Sequence, residues 1–164
     1  MKKMIIALML MAPTMMFAQK FGHVNTQEVM QSMPELAKVN GELEALSKQK
    51  ENDMKAMQEE LQRKADLYDK QASTMNATKK QETEAELQSL YQKVQQAYQD
   101  AQQEIQKAQQ EKMNPIIEKV RKAINAVGQN GSYTMIFEDG AAIYTGDQCT
   151  DLTGAVKSEL NKLK

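Results

Sequence analysis

Residues 34–75 read PELAKVNGELEALSKQKENDMKAMQEELQRKADLYDKQASTM, and the spacing of their apolar side chains decides the fold. Leu36, Val39, Leu43, Leu46, Lys50, Met54, Met57, Leu61, Ala65, Tyr68, Ala72 and Met75 span 39 residues in eleven steps. That is about 3.5 residues per step, the period that keeps one helix face against a partner helix. Lys50 is the one charged member, and its aliphatic stem can cover the seam while its ammonium stays in water. Pro34 suits the first turn, where its missing N–H costs nothing. A second seam runs Leu87, Leu90, Val94, Ala97, Ala101, Ile105, Ala108, Lys112, Ile116, Val120, Ile124 and Val127, 40 residues in eleven steps. Between the seams, Ser73-Thr74-Met75-Asn76-Ala77-Thr78 offers turn formers and helix caps. Two helices of matched length joined by a short polar turn make an antiparallel hairpin, roughly 60 Å long at about 1.5 Å per residue. Asn114-Pro115 marks the place for a kink in the returning helix.

Composition agrees with a largely helical chain. Aromatics are 5% of 164 residues and Gly is only 7, which argues against an all-β or doubly wound α/β enzyme. Gln is abundant, 20 in all, with nine between Gln92 and Gln110. The formal net charge of −1 carries no basic bias toward nucleic acid. The first eighteen residues have a different texture. Met1-Lys2-Lys3 precedes an apolar run from Met4 to Phe17, and Ala18 closes it before Gln19-Lys20. That is the layout of a secretory signal peptide cleaved near Ala18, and the run is short for a membrane span. Without it, 19 basic residues face 22 acidic ones. A lone cysteine, Cys149, leaves the exported chain without an internal disulfide.

The ends of the exported chain read as a small β body. Lys20 to Thr26 is a short strand with Phe21 and His23 on one face and Val24 on the other, and Thr26 is placed to cap a short helix. After the hairpin, Gly128 is a candidate C-cap, followed by a Gln129-Asn130-Gly131 turn. Tyr133 to Phe137 alternates as a strand. Glu138-Asp139-Gly140 reads as a hairpin turn from which Ala141 to Tyr144 pairs back. Thr153 is placed to cap a final helix carrying Val156, Leu160 and Leu163 on one face. Three short strands and one helix bury little apolar surface, so the body is expected to assemble with copies of itself.

The order of these segments resembles the Skp/OmpH family of periplasmic chaperones. Lys20-Phe21-Gly22-His23-Val24-Asn25, the strand Tyr133-Thr134-Met135-Ile136-Phe137, the pair Ile143-Tyr144 and Asp151-Leu152-Thr153-Gly154-Ala155-Val156 carry the resemblance, on either side of a Gln/Lys/Glu-rich hairpin. It implies an α+β, mostly α fold, in which a long antiparallel coiled-coil hairpin projects from a small β body that trimerises. The expected layout is a signal peptide over 1–18, a discontinuous body of 19–33 and 114–164, and a hairpin over 34–113 with its tip near 73–78. The implied function is ATP-independent holding of unfolded outer-membrane β-barrel proteins in a periplasmic cavity between hairpins, before hand-over to the outer-membrane assembly machinery. The implied trimer body uses Phe21, Val24, Tyr133, Met135, Ile136, Phe137, Ile143 and Tyr144.

Met54, Met57, Leu67, Tyr68, Met75, Tyr91 and Tyr98 are candidates to touch unfolded chains, many weak contacts giving avidity. Met54, Met57 and Tyr68 lie on the seam and could equally only fill it; Leu67, Tyr91 and Tyr98 sit beside it. Residues 34–72 carry seven basic and nine acidic side chains, and 73–113 carry five and six, which speaks against lipopolysaccharide as a ligand. There is no Gly-rich phosphate loop, and the one histidine, His23, reads as structural rather than catalytic or metal-binding. No enzyme, cofactor or metal site is expected. The competing reading is a structural coiled-coil spacer or adaptor of the envelope, which predicts a filled seam and a wholly polar exterior.

Overall fold

The computed structural model describes residues 19–163; the segment read as a signal peptide lies outside them. In chain order the elements are β1 (Lys20–Val24), α1 (Thr26–Gln31), α2 (Pro34–Gln71), α3 (Ala77–Gly131), β2 (Tyr133–Glu138), β3 (Cys149–Asp151) and α4 (Thr153–Leu160). The chain forms two compact units. One spans Gln27–Arg121; the other joins the described residues through Thr26 to those from Lys122 onward.

In the hairpin unit, all twelve positions of the first seam are partly or fully covered, with Met54 buried, while most of their neighbours are exposed. The second seam behaves the same way, with Val94, Ala101, Ile116 and Val120 buried. The turn falls where the small polar residues stand. Asn76 begins α3 by accepting the Lys79 N–H on its side-chain oxygen at 2.8 Å. Helix α3 runs through Pro115 without interruption.

The other unit is built on a three-stranded sheet of order β2-β1-β3, with β1 parallel to both neighbours. Its register places Phe21 beside Met135 on one side and Cys149 on the other. Here the local reading of the sequence fails. The turn at Gly140 forms, with φ +79° and Ala141 N–H bonded to the Glu138 carbonyl at 3.0 Å, but Ala141 to Tyr144 does not return as a strand. Two alanines are poor strand formers, and among the described residues nothing covers Ile143 or Tyr144. The connection instead crosses to the far side of β1, where Cys149–Asp151 supplies the third strand.

Three helix ends also differ from expectation. Helix α3 continues past Gly128 to Gly131, and Ser132 takes the left-handed conformation (φ 54°) that ends it. Gly128 serves packing: a Cβ there would sit 3.2 Å from Ile136 Cδ1. Thr26 and Thr153 are the first residues of their helices rather than side-chain caps. The Thr26 N–H is taken by the Glu138 carboxylate at 3.0 Å, and the Thr153 N–H by Asp151 at 2.9 Å. The Thr153 hydroxyl accepts the Asn25 N–H at 3.0 Å and so joins β1's end to α4. Val24, Ala123, Leu152, Val156 and Leu160 are the buried apolar residues of this unit. Gly22 lies under Leu152, whose Cδ1 would be 2.5 Å from any Cβ at that position.

Candidate functional site

The hairpin surface is set by its register, and polar rungs across the seam fix that register. Glu35 meets Lys119 at 2.7 Å, Lys112 pairs with Glu42, and Lys50 meets Glu104 at 2.6 Å. Gln58 donates to the Tyr98 hydroxyl at 2.7 Å, Lys64 pairs with Glu86, and Tyr68 donates to Glu84. The acid stands on α2 in the two rungs nearest Pro34, and on α3 in the rungs made by Lys50, Lys64 and Tyr68. Slipping the helices by a turn would break these pairs, so the ladder favours one alignment even though each exposed pair adds little stability. Lys50 fills its seam position with its stem and reaches an acid with its ammonium.

These contacts leave their mark on the titrating groups. Lys119 holds the Glu35 carboxyl below its ordinary range, and Lys112 and Lys64 do the same for Glu42 and Glu86. The bond to Glu84 pushes the Tyr68 phenol up to about 12. In the sheet unit, Thr153, through its hydroxyl and then its N–H, holds Asp151 below the usual carboxylate value.

Against this frame the seven candidate contact residues separate. Met54 is buried between the helices; Met57, Tyr68 and Met75 are half-covered, and Tyr68 spends its hydroxyl on Glu84. Leu67, Tyr91 and Tyr98 are exposed, at 50%, 52% and 38%. A groove of about 490 Å³ between α2 and α3 has Met54, Ala101 and Ile105 among its lining and Gln58 and Tyr98 on its polar side. Leu67 stands apart, in a shallow dent among Arg63, Asp66 and Lys70. The structure therefore brings Met54 and Tyr98 to one groove and leaves Leu67 elsewhere. Ile117, whose sequence position beside Ile116 reads as part of the apolar base, is exposed as well, while Ile116 is buried.

The eight body residues separate as well. Val24 is buried in its own chain, and Phe21, Tyr133 and Ile136 are half-covered. Met135, Phe137, Ile143 and Tyr144 are exposed. Phe21 stacks on Phe137 with ring centroids 6.4 Å apart. Both rings line a cavity of about 600 Å³ together with His23, Tyr144 and Cys149. His23 Nδ1 is 3.3 Å from the Asp139 carboxylate, without hydrogen-bond geometry. The small unit thus leaves several large apolar side chains uncovered. Among the described residues, no group of three or more His, Cys, Asp or Glu is placed to hold a metal ion. No helix among them is long and apolar enough to cross a membrane.

Known proteins share this arrangement. The chain is 26% identical over 155 residues to a protein from Yersinia enterocolitica named Chaperone protein Skp, covering 94% of each. It is 23% identical over 143 residues to a protein of the same name from Pectobacterium atrosepticum, covering 87% of this chain and 86% of that one. A crystal structure from Caulobacter crescentus CB15, described as an OmpH-like outer membrane chaperone, superposes with a TM-score of 0.76 at 17% identity, over 89% of this chain and 86% of the other. That likeness shows the fold. The sequence profile described as Outer membrane protein (OmpH-like) matches residues 20–160, and the chain belongs to that family.

Proposed function

We propose that this protein is an ATP-independent holdase of the periplasm, which binds unfolded outer-membrane β-barrel proteins between the hairpins of a homotrimer and passes them to the outer-membrane assembly machinery. Membership of the OmpH-like family supports a chaperone role and a non-enzymatic one. The observation that carries the holding mechanism is that the seam is filled and yet apolar side chains are left over. Leu67, Tyr91 and Ile117 remain exposed on helices whose inward positions are already covered. A spacer has no use for them, whereas a holdase needs many weak contacts distributed along a surface. The exposed Met135, Phe137, Ile143 and Tyr144 support self-association through the sheet unit. The near balance of charge on the hairpin favours apolar and hydrogen-bonding capture over attraction to lipopolysaccharide.

The test pairs a mass measurement with light scattering from a urea-denatured outer-membrane barrel protein diluted into buffer without nucleotide. A trimer that suppresses scattering at near-stoichiometric ratio is the expected result. A monomer that gives no protection would sink the reading, and a trimer without protection would favour the spacer.

A further inference from the structure

The nine glutamines from Gln92 to Gln110 all lie on the solvent side of α3, and every one is exposed. Their positions repeat every seven residues: Gln92, Gln99 and Gln106; Gln95, Gln102 and Gln109; Gln96, Gln103 and Gln110. At about 100° per residue, the turn implied by 3.6 residues per turn, they fill one arc opposite the seam residues Val94, Ala101 and Ala108. Tyr91 and Tyr98, themselves one heptad apart, continue that arc on one side. Lys93, Asp100, Glu104 and Lys107 all fall on the other. The result is an arc about 160° wide and about 30 Å long, carrying amides and phenols and no charge. This segregation stands out in a chain that is 26% charged.

Two of these groups have protein partners. Gln96 donates to Asp100 at 2.9 Å, on the charged edge, and the Tyr98 hydroxyl accepts from Gln58. Among the described residues, the other eight amides of the arc have no protein hydrogen bond. Each offers N–H donors and a carbonyl acceptor without charge, the same kinds of group that a peptide unit presents. The spacing fits as well. A heptad rises about 10.5 Å along a helix, and three residues of an extended strand rise about 10.2 Å. Successive residues of an extended chain turn to opposite sides, so such a chain laid along α3 would present the same side to an equivalent glutamine rung at every sixth residue, every second heptad.

We propose that this arc binds the main chain of extended, uncharged polypeptide segments through amide–amide hydrogen bonds, with Tyr91 and Tyr98 covering aromatic side chains of the same segment. The inference rests on the client-holding reading and names the client feature recognised: neutral extended backbone, common to every unfolded strand whatever its sequence. A carboxylate in place of the amide accepts but cannot donate, and a neutral chain gives it no partner for the charge it must desolvate.

The probe is a blocked twelve-residue peptide of alternating threonine and tyrosine, uncharged and labelled with a neutral dye, titrated against the purified full chain by fluorescence anisotropy. The test variant is Gln95→Glu with Gln99→Glu, Gln102→Glu and Gln106→Glu, all near the centre of the arc. Gln and Glu have similar helix propensity, so helix content by circular dichroism should not change. The control, Lys93→Glu with Lys107→Glu, alters net charge by the same amount on the charged flank. Saturable binding is expected, weakened at least tenfold in the test variant and less than twofold in the control. Four Gln→Lys substitutions at the same positions should weaken it too. No binding, equal losses in variant and control, or opposite effects of Glu and Lys would overturn the proposal. So would sedimentation showing that the four substitutions disperse a self-association of the chain instead of releasing peptide. Scattering by a denatured barrel protein separates the two readings. Protection with peptide binding indifferent to the substitutions refutes the arc and keeps the holdase; peptide binding without protection does the reverse.

Discussion

Truncating Met54 and Leu67 to alanine, one at a time, should produce opposite phenotypes. Both are large apolar residues of α2, but Met54 is only 9% exposed and Leu67 is 50% exposed. Burying a methionine side chain contributes about 1.5–3 kcal/mol by transfer, and Met→Ala in a core costs about 2–5 kcal/mol once the cavity is included. Met54 borders the open groove beside Ala101 and Ile105, so water can reach part of the space it vacates. The low end applies, about 2 kcal/mol, or about 8–16 °C in Tm for a unit of this size. Leu67→Ala removes atoms already half in water and should cost less than about 1 kcal/mol. What Leu67 can lose is client contact. The exposed half of its side chain is worth about 1 kcal/mol when covered, or roughly a fivefold change in affinity. The assay is a thermal melt at fixed protein concentration, together with titration of a labelled denatured barrel protein well below both transitions. Met54→Ala should melt early and bind normally; Leu67→Ala should melt normally and bind weakly. If Met54→Ala keeps its Tm while losing affinity, the division between seam and contact surface is wrong.

Ala101→Pro removes a hydrogen bond from the middle of α3 at a buried position and should cost at least about 3 kcal/mol; it should abolish protection against scattering, and a fully protective variant would exclude the hairpin from the mechanism. Gly22→Ala forces a methyl to within 2.5 Å of the buried Leu152 and should destabilise the sheet unit by about 1–3 kcal/mol, with partial recovery of Tm in the double variant with Leu152→Val. Asp151→Ala removes the carboxylate that receives the Thr153 N–H and should cost about 1 kcal/mol at neutral pH. Because the folded-state pKa of Asp151 is lowered, its contribution is complete above the ordinary value of 3.8 and fades as pH falls through the folded one. The Tm gap between wild type and Asp151→Ala should therefore close below about pH 4, and a gap that persists in acid would remove the carboxylate from the account.

The hairpin was legible because a coiled-coil seam is a one-dimensional code: Leu36 to Met75 and Leu87 to Val127 state their partner face by spacing alone. The sheet was not, because its pairings are remote. Glu138-Asp139-Gly140 carries a correct local turn signal, but no local rule says that β1 is already bordered by β2 and still has an edge for Cys149–Asp151. Three residues are also too few to show alternation. The caps misled for a related reason. Thr26 and Thr153 have the chemistry of caps, yet Glu138 and Asp151, one of them more than a hundred residues away, take the helix N–H groups first. Along the hairpin, seam membership separates the buried Met54 from the exposed Tyr91. The ladder partners of Lys64 and Tyr68 were hidden until the register was known, although their numbers and those of the other rungs sum to nearly the same value.

The placement of β1 at the centre of an all-parallel sheet has a consequence in time. Its two neighbours begin at Tyr133 and Cys149, so a chain that emerges amino end first presents its middle strand long before either flank exists. The hairpin closes on itself through contacts that can zip from the tip, while the sheet waits for nearly the whole chain. Folding is thereby given an order: the hairpin can close while the sheet is still incomplete, and the exposed Met135 and Phe137 take their places beside β1 only when nearly the whole chain has emerged.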